Sequence, residues 1–84
     1  MRQVTYGRDA LKVLARIPAN TARLIRAKGT QYASDPRSLA NNVKALKGRD
    51  EFLRMRVGDW RVVFRESEST VDVINIGPRG GIYD

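Results

Sequence analysis

The feature that most constrains the fold is the segment at residues 52–66, FLRMRVGDWRVVFRE. Apolar and charged residues alternate on both sides of Gly58-Asp59, a pair that is typical of tight turns between strands. This alternation predicts a strand over residues 52–57 and a returning strand over residues 60–66. The segment therefore predicts a β-hairpin against which the rest of the chain has to pack.

The N-terminal part of the chain has a helical period. In GRDALKVLARIP (residues 7–18) apolar residues recur every three or four positions, and Pro18 ends the pattern. The next segment, ANTARLIRAKGTQYASDP (residues 19–36), predicts a longer helix that Asn20 or Thr21 caps and Asp35-Pro36 ends. Gly29 should weaken this second helix locally.

Three further segments complete the predicted order. Residues 2–6 alternate as a short first strand, and TVDVINIG (residues 70–77) predicts a third strand of the C-terminal meander. Residues 35–50 are predicted to be a polar connector that Val43 and Leu46 anchor in the core. The order is β-α-α-β-β-β, which predicts a single α+β domain over residues 1–84: an antiparallel sheet with an N-terminal helical hairpin packed on one face.

The composition excludes several kinds of chemistry. The chain has 84 residues with neither cysteine nor histidine. Disulfides and thiolate sites are thereby excluded, and the commonest metal ligand and general base are both missing. Because no apolar run approaches the length of a membrane span and the N-terminus lacks a signal-peptide core, we expect a cytoplasmic protein.

The charge balance points to an anionic partner. The chain has 16 Lys and Arg against 9 Asp and Glu, a net charge of +7, and 12 of the 16 are arginine. Arginine suits two-point contact with phosphate or carboxylate. A polyanion or an acidic protein is the predicted partner, although charge alone is equally compatible with an ordinary basic domain.

Arginines concentrate on one face of the predicted hairpin. If the apolar residues face the helices, Arg54, Arg56, Arg61 and Arg65 share the open face. For any one of them, solvation of an exposed sheet is a sufficient explanation. As a set they repel one another, so a bound anion explains them better. Trp60 falls with the core residues, which disfavours a role in stacking on bases.

The tail GPRGGIYD begins where the last predicted strand ends. Gly80 and Gly81 would let the backbone turn sharply or approach a ligand closely. Arg79 and Tyr83 are therefore candidates for the same site. The alternative is a frayed terminus whose tyrosine packs against the edge of the fold.

Four segments resemble a known family. LKGRDEFLRMRVGDWRVVF and VINIGPRGGIY, together with GRDALKVLARIP and the DPR after the second helix, resemble the RelE toxins of bacterial toxin–antitoxin systems, within the RelE/ParE superfamily. The resemblance covers almost the whole chain. It implies a RelE-like microbial RNase fold and a toxin that enters the ribosomal A site and cleaves mRNA there, by attack of a ribose 2′-hydroxyl on the adjacent phosphodiester, without metal or cofactor.

The resemblance also implies the site residues. The catalytic set carried over by motif is Arg54, Arg56, Arg61, Arg79 and Tyr83. The residues expected to bind RNA are Arg54, Arg56, Arg65, Lys44 and Lys47. Because a guanidinium stays protonated, Tyr83 is the predicted base. Some relatives carry lysines where this chain has Arg54 and Arg56, and a lysine transfers protons more readily, so the general acid stays unassigned.

The resemblance leaves a second function open. ParE-like toxins have the same fold but inhibit DNA gyrase by binding, without cleaving RNA. The presence of all five catalytic positions favours the RelE-like activity. A non-toxic nucleic-acid-binding regulator is a third alternative, disfavoured by the lack of a helix-turn-helix pattern. Either toxin implies a cognate acidic antitoxin as partner, and the RelE-like one implies a ribosome with mRNA in its A site.

Overall fold

A computed structural model describes residues 1–81, and for Arg49 and Asp50 it describes the backbone alone. The elements, in chain order, are β1 (Gln3–Tyr6), α1 (Arg8–Arg16), α2 (Ala19–Ser34), a 3-10 helix (Pro36–Asn42), β2 (Val43–Leu46), β3 (Arg49–Val57), β4 (Trp60–Glu66) and β5 (Thr70–Pro78). The α+β class and the two predicted helices are confirmed. None of the helices within residues 1–81 is long and apolar enough to cross a membrane.

The predicted strand order lacked one strand. The predicted connector at residues 35–50 contains a 3-10 helix followed by β2, which pairs with β3 from Val43 opposite Met55. The sequence VKAL is short and does not alternate cleanly, and β2 lies at the edge of the sheet, paired on one side. The connector is anchored by Leu39, which is buried, as well as by Val43, which packs against the core.

The sheet is mixed rather than antiparallel. Its order is β1-β5-β4-β3-β2, and β1 pairs with β5 in parallel, with Gln3 opposite Thr70, while the other pairs are antiparallel. The two partners are more than sixty residues apart, and local alternation carries no signal for such a pairing. The antiparallel prediction was therefore wrong for β1 alone.

The helices cover one face of the sheet, as predicted. Ile25 of α2 and Phe64 of β4 belong to the same buried cluster, and the ring of Tyr32 meets that of Phe64 edge-on at 4.9 Å between centroids. On the inner side of α1, Ala10 and Leu14 are buried. Trp60 packs against this core, in agreement with its place in the alternation.

The hairpin turns at the predicted position. Val57 and Trp60 are directly opposite, so Gly58 and Asp59 form a two-residue loop, and Gly58 has a φ of +58°. A positive φ at the first loop position matches the hairpin turns that fit the twist of the strands. The strand β3 begins at Arg49, three residues earlier than predicted.

Helix α2 differs from the prediction at its start, and its packing against β1 explains the glycine at position 29. Pro18 is the N-cap, and Asn20 lies inside the helix, where its Oδ1 accepts a hydrogen bond from the Thr21 N–H at 3.0 Å. A Cβ at Gly29 would lie 3.1 Å from the hydroxyl oxygen of Tyr6. Gly29 therefore lets β1 and α2 pack closely, which offsets its poor helix propensity.

Candidate functional site

The register of the strands brings the basic residues together on the open face. Residues directly opposite each other in neighbouring strands lie on the same face of a sheet. Lys44, Arg54 and Val63 form one such row across β2, β3 and β4, and Arg56 lies opposite Arg61 in the next row. The predicted common face for the hairpin arginines therefore extends to a lysine on the strand that was missed.

These residues surround an open hollow of about 120 Å³. Its lining consists of four cationic and two amide side chains: Lys44, Arg54, Arg56, Arg61, Asn41 and Asn42. A concave site lined by cations on a sheet face is suited to an anion, and its size is that of a small group such as a phosphate rather than a large ligand.

Arg61 is held in place by the hairpin turn. Its Nη1 donates to the Gly58 carbonyl at 3.2 Å and to the Trp60 carbonyl at 3.1 Å. Arg61 is 7% exposed and is the one polar or charged residue that is buried among the described side chains. A guanidinium in this position is preorganised, because the ligand does not have to immobilise it.

Val63 is a buried apolar residue on the same face of the sheet as the hollow. It is 4% exposed, lies in the row between Arg54 and Asn75, and stands apart from the buried cluster beneath the helices. An apolar neighbour lowers the local dielectric constant, which strengthens the attraction between the guanidinium groups and a bound anion.

Four predicted residues lie outside this hollow or beyond the described part of the chain. Lys47 is exposed in the turn between β2 and β3, and exposed Arg65 lies opposite Asp72. Arg79 is exposed and lies beside the hairpin turn: its backbone N–H donates to the Asp59 carbonyl at 2.6 Å, and its Nη1 is 4.0 Å from the Asp59 carboxylate. Tyr83 lies outside the described residues.

Sequence reasoning missed two residues of the site. Asn41 and Asn42 end the 3-10 helix and line the hollow next to β2. The signal that could have found them is the asparagine pair directly before Val43, but it acquires meaning only when the following residues are recognised as a strand.

The two tyrosines with a shifted pKa are part of the packing on the helical side. Burial, together with the hydrogen bond that its hydroxyl donates to Glu66 at 2.9 Å, raises the pKa of Tyr32 to about 12. Burial also raises the pKa of Tyr6, against the opposing effect of Arg26, whose guanidinium lies 4.9 Å from the centre of the ring. Among the side chains that the structure describes, no three acidic groups lie close enough together to hold a metal ion.

Comparison with known families identifies the class of protein. The family model of the ParE toxin of the type II toxin–antitoxin system, parDE, matches residues 4–83. The chain belongs to this toxin family. It is a type II toxin of the RelE/ParE superfamily, and the resemblance seen in the sequence is confirmed. No curated protein sequence matches the toxin at a significant level.

Solved structures show the same fold. The archaeal RelE–RelB complex from Pyrococcus horikoshii OT3 contains a chain that matches 94% of the toxin and 96% of its own length, with a TM-score of 0.78 and 21% identity. The intact E. coli RelBE complex matches with a TM-score of 0.76 and 18% identity, over 96% of the toxin and all of that chain. At such identities the likeness concerns the fold.

Proposed function

We propose that the toxin is a ribosome-dependent endoribonuclease that cleaves mRNA in the A site by attack of a 2′-hydroxyl on the adjacent phosphodiester. The observation that carries the proposal is the hollow on the open face, in which Arg61 is buried and fixed by two carbonyl groups while Arg54 and Arg56 lie in the neighbouring strand. The hollow has the charge and size expected of a site for the scissile phosphate.

The arginines suit the transition state of this reaction. Attack of the 2′-hydroxyl produces a five-coordinate phosphorus whose oxygens carry more negative charge than the starting diester. Preorganised guanidinium groups stabilise that charge most where they need no reorientation. In this scheme Arg61 contacts the scissile phosphate, and Arg56, directly opposite it, shares the developing charge.

Lys44 is the candidate proton donor to the leaving 5′-oxygen. A lysine ammonium can give up a proton, whereas a guanidinium in effect cannot. Lys44 lines the same hollow and lies directly opposite Arg54. It would supply the acid that the resemblance left unassigned.

Tyr83 is the candidate base, with Arg79 as a second clamp on the phosphate. The hydrogen bond from the Arg79 N–H to the Asp59 carbonyl fixes the start of the tail beside the hairpin turn that also holds Arg61. Tyr83 follows Arg79 by four residues in the sequence.

The proposed partners follow from the charge of the site. Since few acid–base groups are available, the ribosome has to orient the mRNA in the hollow. An acidic antitoxin would inhibit the toxin by covering this positive surface. The similarity in fold to RelE chains that are solved in complexes with RelB supports a protein partner of this kind.

Inhibition of DNA gyrase is the second candidate function. It is favoured by the description of the matching family, which is that of the ParE toxin. In that case the basic hollow would contact gyrase or its DNA without chemistry.

Two assays with the purified toxin separate the candidates. One measures mRNA cleavage on programmed ribosomes by primer extension, and the other measures supercoiling by DNA gyrase. New 3′ ends at the A-site codon with unchanged supercoiling support the endoribonuclease. Loss of supercoiling without mRNA cleavage overturns it in favour of gyrase inhibition.

A further inference from the structure

Two residues that line the hollow carry no charge. Asn41 and Asn42 lie beside its lysine and its three arginines. Lysine and arginine side chains can only donate hydrogen bonds, whereas a side-chain amide has a carbonyl that accepts and an NH2 group that donates. The two amides therefore supply the only side-chain acceptors among the described residues that line the hollow. We call Asn41 and Asn42 the amide pair.

The amide pair is not used by the fold. Asparagine side chains often bond to neighbouring backbone groups where a helix or a turn ends. Here neither side chain makes a hydrogen bond to another residue that the structure describes, with Asn41 exposed and Asn42 half-buried. A ligand in the hollow can therefore bond to both amides without displacing an internal partner.

The backbone that carries the amide pair is anchored on both sides. Leu39 is buried in the core before the pair, and Val43 packs against the same core after it. Gln31 of α2 donates to the Ser38 hydroxyl at 2.9 Å, and that hydroxyl donates to the Asp35 carbonyl at 2.7 Å. The 3-10 helix is thereby tied to α2. A fixed backbone is what side chains need if they are to select between similar ligands.

The register of β2 and β3 places Asn42 in line with the arginines proposed to hold the phosphate. Val43 lies opposite Met55. One step further along the same ladder, Asn42 comes level with Arg56, which lies opposite Arg61. Neighbouring strands are about 4.8 Å apart, so the backbone of Asn42 lies about 10 Å from that of Arg61. The attacking 2′-oxygen has to lie within about 3.5 Å of the scissile phosphorus, so a side chain two strand spacings from Arg61 suits the adjoining base rather than the reacting atoms.

The donor and acceptor groups of an amide match the edge of adenine. Asparagine pairs with adenine at two points, accepting from the exocyclic amine and donating to N7. On the corresponding edge guanine presents two acceptors, so the amide carbonyl would face another oxygen. Bases of single-stranded RNA are accessible on these edges. A site with cations for phosphate and uncommitted amides beside them therefore has the groups to hold a nucleotide and to read its base.

We infer that the amide pair recognises an adenine base of the mRNA next to the scissile phosphate. This assignment rests on the proposed function and deepens it, because it names the base that the same site selects. The cations of the hollow hold the backbone of any sequence, and the amide pair adds the preference for adenine. Since it touches no reacting atom, the pair decides which codon is favoured and takes no part in the bond-breaking step.

The test measures binding of the full-length toxin to ribosomes whose A-site codon contains 2′-deoxyribose, so that attack by a 2′-hydroxyl cannot occur. Adenine, guanine or unsubstituted purine, which lacks the exocyclic amine, is placed at each codon position in turn, with uracil at the other two. The double variant Asn41→Ala/Asn42→Ala is compared with Asn20→Ala, which removes an exposed amide from the first turn of α2. Cleavage of the matching unmodified mRNAs is measured by primer extension.

The unmodified toxin should bind adenine about tenfold more tightly than guanine or purine at one codon position, the effect of one good two-point contact with a base. In the double variant this ratio should fall to within about twofold of one, whereas Asn20→Ala should keep it. Because the ratio compares two mRNAs on the same protein, a change in the stability of the fold does not alter it. A ratio that survives in the double variant, or a preference for guanine, would overturn the inference.

The proposed function fails separately. An adenine preference that depends on the amide pair, without cleavage of the unmodified mRNAs, keeps the inference and rejects the endoribonuclease. Cleavage of these mRNAs at rates that depend neither on adenine nor on the amide pair keeps the endoribonuclease and rejects the inference.

Discussion

Arg56 and Arg61 lie directly opposite each other in β3 and β4, on the face of the sheet that the helices leave uncovered. Two like charges at such a pair of positions destabilise a hairpin. Arg61 is in addition buried and tied to two carbonyl groups of the hairpin turn. The toxin thus places two guanidinium groups opposite each other at its basic hollow, an arrangement that suits an anion such as a phosphate.

Removing the guanidinium of Arg61 should abolish most of the activity. We expect Arg61→Gln to lower the rate of mRNA cleavage on the ribosome by about 10²–10³, since one preorganised charge–oxyanion contact is lost. Single-turnover primer extension measures the rate, and circular dichroism checks the fold. Arg37→Gln is the matched control, with a rate within about twofold of the unmodified toxin. A full rate for Arg61→Gln would remove Arg61 from the site.

Lys44 offers a test of proton transfer as distinct from charge. Lys44→Arg keeps the positive charge opposite Arg54 but replaces a group that can release a proton with one that in effect cannot. We expect Lys44→Arg to lose about 10²-fold in cleavage rate, close to the loss for Lys44→Gln, since general acid catalysis contributes this much. If Lys44→Arg cleaves normally while Lys44→Gln does not, Lys44 holds phosphate and donates no proton.

The contact of Gly29 with Tyr6 predicts a coupled pair of substitutions. Alanine at position 29 improves helix propensity by about 1 kcal/mol, but its Cβ would lie 3.1 Å from the Tyr6 hydroxyl oxygen. We expect Gly29→Ala to bring no gain in the free energy of unfolding alone, and a gain of about 0.5–1 kcal/mol in the Tyr6→Phe background. Urea unfolding of the four proteins measures the coupling. Effects that add within about 0.3 kcal/mol would show that the contact does not matter.

The raised pKa of Tyr32 makes stability depend on pH above 10. Burial and the hydrogen bond to Glu66 raise this pKa to about 12, from an ordinary value of 10.0. Between these values the unfolded chain has lost the phenol proton and the folded chain keeps it, so the contribution of Tyr32 is complete below pH 10 and falls as pH rises through 12. Relative to Tyr32→Phe, the stability advantage of the unmodified toxin should shrink over this range. Urea unfolding between pH 8 and 11.5 tests this, and a constant difference would contradict it.

The local elements of the fold are largely predictable from the sequence. The two helices follow from an apolar period of about 3.6 residues, and the two faces of the hairpin follow from a period of two. The Gly58-Asp59 pair marks the turn. All of these signals come from residues that are close together in the sequence. The pairing of β1 with β5 does not follow, because it joins segments far apart in the chain. Strand β2 was missed because VKAL alternates weakly and has the sheet on one side only.

In the candidate site, too, some features follow from local sequence patterns and others depend on long-range pairing. Arg54, Arg56 and Arg61 could be placed on one face from alternation alone, and the structure brings all three to one hollow. The contributions of Asn41 and Asn42 depend on the missed strand, and the anchoring of Arg61 to carbonyl groups depends on the turn geometry. Residue types and periods predict which charges face outward, whereas tertiary pairing decides which of them meet.

The central claim, that the toxin cleaves mRNA in the ribosomal A site, is tested most directly by primer extension on ribosomes programmed with one mRNA. The A site is left empty in one sample and filled with cognate aminoacyl-tRNA in another, and free mRNA is the third. The endoribonuclease predicts new 3′ ends at the A-site codon when that site is empty, and their loss when it is filled, when the ribosome is absent or when Arg61→Gln replaces the unmodified toxin. No cleavage with the A site empty, or equal cleavage of free mRNA, would contradict it.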